Sequence, residues 1–131
     1  MNSKKRVLFV CVENSNRSQM AEAFAKMYGG DCVEAFSAGS RPSGKVNKKA
    51  ISAMSEVGYD LTSHNSKSLG QVPEGDFDAV VTMGCGDACP HVQARVRCDW
   101  SIPDPKDLSV DEFNKVRDLI ASHVRELLQK L

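Results

Sequence analysis

The sequence has no excess of either charge, no long apolar run and no repeated unit, and each shortage closes off a class of protein. Seventeen Lys and Arg balance seventeen Asp and Glu, so no global field draws the chain to nucleic acid or to a membrane surface. No apolar run approaches the roughly 20 residues that span a bilayer. The basic start, Met1 to Arg6, is followed by an apolar stretch too short for a secretory signal, with no small-residue cleavage site after it. The expectation is a cytoplasmic protein. Linkers and low-complexity tracts are missing as well, so the 131 residues read as a single domain, 1–131, able to build one core. The five cysteines, Cys11, Cys32, Cys85, Cys89 and Cys98, are odd in number. In a reducing compartment they are free, catalytic or metal-binding rather than structural disulfides.

What is present alternates between two periodicities. Arg6 to Cys11 is apolar and β-branched and reads as a buried strand. Ser18 to Tyr28 carries Met20, Ala21, Phe24, Ala25 and Tyr28 at helical spacing, and Gly29 and Gly30 stop it. Cys32 to Ser37 reads as a second strand ended by Gly39, with Cys32 packed in the core. Lys45 to Val57 follows as a helix with Ile51, Met54 and Val57 inward. Phe77 to Met83 is a third strand, Gly84 to Asp99 a long loop, and Cys98 to Ser101 a short fourth strand. Ser109 and Glu112 open the last helix as a capping box. Phe113, Val116, Ile120, Val124, Leu127 and Leu131 then line its inner face. Strands alternating with helices imply a parallel sheet covered on both faces, with ligands bound beyond the carboxyl ends of the strands. That rule selects the turn after Cys11, the loop after Met83 and the loop around Asp104.

In the first of these, Cys11-Val12-Glu13-Asn14-Ser15-Asn16-Arg17-Ser18 joins a strand to a helix. Successive N–H groups of such a turn converge on one point, and the helix N-terminus adds partial positive charge. Arg17 supplies a planar fork for two oxygens of a tetrahedral anion. The same field favours a thiolate at Cys11, and Ser18 can donate a hydrogen bond to it. Asn14 tolerates a left-handed backbone and can tie the loop to its neighbours. The backbone from Val12 to Arg17 is therefore the candidate oxyanion cradle, with Cys11 as nucleophile.

These residues resemble the phosphate-binding loop of the low-molecular-weight protein tyrosine phosphatases and their arsenate reductase relatives. The resemblance continues through Ser37-Ala38-Gly39, Val80 to Met83 and Trp100 to Pro105. It implies a flavodoxin-like α/β fold, three-layered, with a four-stranded parallel sheet and helices on both faces. It also implies that Cys11 attacks the oxyanion, Arg17 binds it and Asp104 is the general acid; taken without the resemblance, Asp104-Pro105 is a common turn pair. The phosphatases usually place an aromatic residue after this Asp-Pro. Lys106 stands here, which argues for a small inorganic oxyanion over phosphotyrosine.

Cys85 and Cys89 lie where a phosphatase has no need of thiols. In a reductase a second thiol attacks the Cys11 sulfur of a thiol-arsenate adduct, releasing arsenite. Cys89 can then attack Cys85 and carry the disulfide outward. Competing readings are a metal site of Cys85, Cys89, His91 and Cys98, or inert thiols. Gly84 occupies the place where thioredoxin-coupled reductases carry their first shuttle cysteine. The string from Thr82 to Pro90 more closely resembles reductases in which an external small thiol attacks the arsenic adduct, so the external reductant stays open between thioredoxin and a low-molecular-weight thiol with a glutaredoxin-like protein; no tightly bound cofactor is expected. Some related reductases hold potassium with residues matching Asn14, Glu22 and Ser37. Here Lys67 replaces the further carboxylate, and its ammonium is expected to stand in for the ion. His64 reads as a surface or turn residue. Arsenate reduction with residual phosphatase activity is thus the leading expectation, followed by a phosphomonoester hydrolase and a non-catalytic oxyanion-binding module.

Overall fold

Val7, Leu8, Phe9 and Val10 are almost wholly buried because they form the middle of a sheet, with neighbours on both sides and cover on both faces. The computed structural model describes residues 4–73, 75–84 and 94–131. In it β1 (Lys5–Cys11), β2 (Val33–Gly39), β3 (Phe77–Thr82) and β4 (Ala94–Asp99) form one sheet. All pairings are parallel, in the order β2-β1-β3-β4. Alternate residues of β1 point to opposite faces. Val7, Phe9 and Cys11 join the larger core with the helices α1 (Arg17–Gly29), α2 (Lys48–Glu56) and α3 (Val110–Lys130). Leu8 and Val10 face the other way, onto Val72 and the short 3-10 turn Leu69–Gln71. This is a flavodoxin-like parallel α/β fold. Among the described residues no helix is long and apolar enough to cross a membrane.

The register positions the site. Cys11 pairs with Gly39, Val10 with Thr82 and Thr82 with Asp99, so all four strands end within a residue of one another. Met83 N–H still donates to Val10 O (2.8 Å) and Trp100 N–H to Thr82 O (2.9 Å). The chain leaving β1, β3 and β4 therefore emerges along one rim.

Several expectations need correction. β4 spans Ala94–Asp99, so most of it lies in the stretch expected to be loop. Its alternating Arg95 and Arg97 and its edge position give it no continuous apolar signature. α2 begins at Lys48, after the Asn47 side chain caps it by accepting from Lys49 N–H. Its buried residues are Ala50, Ala53 and Met54, while Val57 caps the far end, exposed. Cys32 is exposed: Gly30, with φ +53°, turns the chain into a 3-10 turn, and the buried strand starts only at Val33. Tyr28 is also exposed, stacked on Phe24. α3 is capped by Ser109, which accepts from Glu112 N–H, and buries Phe113, Val116, Ile120, Val124 and Leu127.

Candidate active site

The rim formed by the strand ends opens onto a cavity of about 280 Å³ lined by Cys11, Val12, Glu13, Ser15, Asn16, Arg17, Gly84 and Asp104. The loop from Cys11 to Arg17 forms its floor, and the way that loop is held explains its shape. Every carbonyl from Cys11 to Asn16 has a donor behind it. Ser40 N–H reaches Cys11 O, Arg41 N–H Val12 O, Ser43 N–H Glu13 O, and Asn47 N–H Ser15 O, at 2.8–3.2 Å. Gln19 Nε2 donates to Asn14 O (3.0 Å), and Met20 N–H to Asn16 O (2.9 Å). In a trans peptide the carbonyl and the following N–H point opposite ways. The N–H groups of Val12 to Arg17 therefore turn towards the cavity. Asn16 stands at the α1 N-cap, yet its side chain makes no capping bond, which leaves the first-turn donors for an anion. Gly39 is required behind the loop: a Cβ there would meet Asn14 N at 3.0 Å and crowd Val12 O closer still.

Asn14, fully buried at φ +53°, ties the loop to the nucleophile. Its Nδ2 donates to Ser18 Oγ (2.7 Å), and Ser18 Oγ lies 2.9 Å from Cys11 Sγ. A thiolate sulfur has no proton to give, so with Cys11 ionised the Ser18 hydroxyl is the donor of this bond. The chain extends backwards by the same logic. Asn14 Oδ1 accepts from Gln19 Nε2 (2.9 Å), Gln19 Oε1 sits 2.9 Å from His64 Nδ1, and Tyr59 O–H lies 2.6 Å from His64 Nε2. Gln19 Nε2 spends its hydrogens on carbonyl oxygens, so Oε1 must accept from His64 Nδ1–H. Nε2 then accepts from Tyr59. Every donor points towards Cys11, an arrangement in which each bond polarises the next.

Arg17 is buried, and its Nη1 donates to Ile102 O at 3.1 Å. Its Nη2 lies 3.9 Å from the half-exposed Asp104 carboxylate. Gly84, with φ +78°, lies flat against the guanidinium; a Cβ there would sit 3.3 Å from Arg17 Cζ and nearer still to Nη1. Gly84 is thus favoured by its backbone conformation, and a side chain there would displace the Arg17 guanidinium. Asp104 Oδ1 accepts from Lys106 N–H at 3.1 Å.

Beneath the loop lies a charged cluster in which Glu22, Ser37 and Lys67 meet as the sequence led us to expect, joined by Lys26 and His64, which it did not. Glu22 is buried. Its Oε1 accepts from Ser37 Oγ at 2.5 Å, and its Oε2 lies 2.7 Å from Lys26 Nζ. Lys67 Nζ and His64 Nδ1 stand 3.8 and 3.9 Å from Oε1. Burial alone would raise the Glu22 pKa, but the hydrogen bonds from Lys26 and Ser37, with the nearby His64 and Lys26, outweigh it and the net shift is downward. Burial depresses His64 below the ordinary imidazole value, with Glu22 opposing and Lys26 and Lys67 reinforcing. Burial likewise lowers Lys67, again against Glu22. His64, expected at the surface, has a side chain only 4% exposed. The one available signal was its placement five residues after Tyr59, and that alone carries no information about burial.

The structure thus brings Cys11, Arg17, Ser18, Asp104 and the loop from Val12 to Asn16 to one place. Cys85, Cys89 and His91 lie outside the described residues. Cys98 is half-buried and lines a separate cavity with Trp100 and His123. Of the potassium candidates, Ser37 and Glu22 touch each other, whereas the Asn14 side chain is engaged by Ser18, Gln19 and Lys67 N–H.

Residues 6–131 match the model of the low molecular weight phosphotyrosine protein phosphatase family. The chain is 37% identical over 130 residues to the glutaredoxin arsenate reductase of Synechocystis sp., covering 97% of this chain and 98% of the relative. It is 40% identical over 129 residues to an arsenate reductase of Bacillus cereus, covering 95% of each. Among solved structures, an arsenate reductase in the phosphate-binding state superposes with a TM-score of 0.88. That pair shares 37% identity, over 96% of this chain and 98% of the other.

Proposed function

The chain belongs to the low molecular weight phosphotyrosine protein phosphatase family, and from that premise we propose that it reduces arsenate to arsenite. The observation that carries the reading is the cavity in which Cys11, Arg17 and Asp104 meet over a floor of inward N–H groups, in a chain whose relatives are arsenate reductases along almost its whole length. Arsenate sits on the N–H groups of Val12 to Arg17 with two oxygens on the Arg17 fork. The Cys11 thiolate, held by Ser18, attacks arsenic. Asp104 protonates the departing oxygen, which leaves as water, and an S–As bond forms. A second thiol then attacks the Cys11 sulfur. The S–S bond forms as S–As breaks, and the electron pair stays on arsenic. Arsenic falls from the pentavalent to the trivalent state, two thiols become a disulfide, and arsenite leaves.

Cys85 is our candidate for that second thiol, with Cys89 passing the disulfide to an external reductant. The Synechocystis relative's name supports a glutaredoxin with a low-molecular-weight thiol; thioredoxin is the other candidate. Both place the reaction in a reducing compartment such as the cytoplasm. Lys26 and Lys67 already supply cationic charge to Glu22, so we expect no potassium requirement at Asn14, Glu22 and Ser37. Phosphomonoester hydrolysis is the second reading, favoured by the same loop and acid, and we expect it as a weak side activity. A purely binding module has no use for a nucleophile beside an acid.

Turnover with each reductant, combined with variants, tests the scheme. Cys11→Ser is expected to abolish arsenate reduction and aryl-phosphate hydrolysis together. Cys85→Ala and Cys89→Ala are expected to lose reduction and keep hydrolysis. Normal reduction by both would mean that an external thiol attacks Cys11 directly. Failure of the native chain to reduce arsenate with either reductant system would defeat the reading.

A further inference from the structure

Two carboxylates line the anion cavity, Asp104 and Glu13, and the reaction proposed above uses only the first. Glu13 belongs to the oxyanion loop, lines the cavity and is 39% exposed. An unpaired negative charge there would repel every divalent oxyanion that enters. It is not unpaired: Lys106 Nζ donates to Glu13 Oε2 at 3.4 Å. Lys106 arrives from the segment that carries Asp104 and is itself held in place. Its N–H donates to Asp104 Oδ1, and its carbonyl accepts from Lys49 Nζ of α2 at 3.4 Å. The pair therefore connects two walls of the cavity, the Cys11 loop and the Asp104 loop. Among the described residues that line the cavity none is aromatic, so an aryl group leaving the pocket meets no ring to stack on.

We infer that the Glu13–Lys106 ion pair is the specificity element of this site, a latch that admits small inorganic oxyanions and disfavours phosphate esters. This rests on the oxyanion-binding reading above and adds the residues that set substrate class. Two effects follow from one contact. Lys106 neutralises Glu13, so that the cradle retains its attraction for a dianion. The joined side chains also tie the Cys11 loop to the Asp104 segment, which limits how far these two walls can part for the organic portion of an ester.

A double-mutant cycle tests the inference, read as inorganic phosphate affinity by titration calorimetry on the full chain. Lys106→Ala is expected to weaken phosphate binding about fivefold at low ionic strength, and less than twofold near 0.5 M salt. In the presence of Glu13→Gln the same Lys106→Ala change is expected to cost less than twofold, because no charge is left to neutralise. The double variant is further expected to hydrolyse p-nitrophenyl phosphate at least about fivefold faster than the native chain in kcat/KM. Equal losses in both backgrounds, or an unchanged aryl-phosphate rate in the double variant, overturn the inference. The binding cycle needs no arsenate turnover, so the two readings fail separately. A native chain that cannot reduce arsenate yet shows the coupling defeats only the reductase reading. Normal reduction with additive variants defeats only the latch.

Discussion

Gly84→Ala separates what the backbone needs at this position from what the arginine needs. Gly84 adopts φ +78°, and a Cβ in that region costs about 1–2 kcal/mol. For a chain of 131 residues that is a fall in Tm of about 3–8 °C. The second effect is on Arg17. The new Cβ would press on the guanidinium, which must retreat by about 1 Å to regain ordinary van der Waals separation. The end of an arginine moves cheaply, so this adds little to the stability loss. It does break the alignment set by the bond to Ile102 O. A misplacement of that size costs about 100-fold in turnover. Losing a charged hydrogen bond to the anion, worth about 1.5–3 kcal/mol, weakens phosphate binding at least about tenfold. Gly58→Ala is the control: its φ is +89° and nothing stands within 4 Å of a Cβ. It should show a comparable loss of Tm with unchanged turnover. Calorimetric melting, phosphate titration and aryl-phosphate hydrolysis on the two variants decide the matter. If Gly84→Ala melts lower but binds and turns over within threefold of native, Arg17 does not hold the anion from the position seen here.

Three further outcomes are expected. Ser18→Ala removes the hydrogen bond that Asn14 directs at the sulfur, so alkylation of Cys11 by iodoacetamide near neutral pH should slow about tenfold; an unchanged rate would mean that the proton points elsewhere. His64 has a folded pKa below its unfolded value, so the unfolded chain takes up the proton first. Stability should therefore be full above about pH 6.5 and fall as pH drops through that value. Urea midpoints at neutral and mildly acid pH should differ less in His64→Gln, and equal slopes would contradict the assignment. Lys67→Met leaves Glu22 with one fewer cationic neighbour, so its melting temperature should become sensitive to potassium while the native chain's does not.

How much of this was legible beforehand depends on how local the cause is. The Cys11 loop was legible because the strand, the turn and the Arg-Ser pair are contiguous. So was α3, whose Ser109 cap and apolar face repeat along one helix. β4 was not, since an edge strand with Arg95 and Arg97 needs no apolar run. Cys32 was misplaced because the single residue Gly30 decides where β2 begins. The Glu22 cluster draws on residues 22, 26, 37, 64 and 67. Glu22 and Lys26 are four apart on one helix, but only the parallel crossovers bring residues 37, 64 and 67 to them.

The backward anchoring of the Cys11 loop has a consequence for discrimination. A mould set in advance by its own rear supports recognises four oxygens and a negative charge, and phosphate carries both. Cellular phosphate should therefore occupy the cradle for much of the time. On the proposed reaction, selection for arsenate is then made not by fit but by fate: the anion that is turned over is the one whose bond to sulfur can be broken from the sulfur side, with the central atom accepting the electrons left behind.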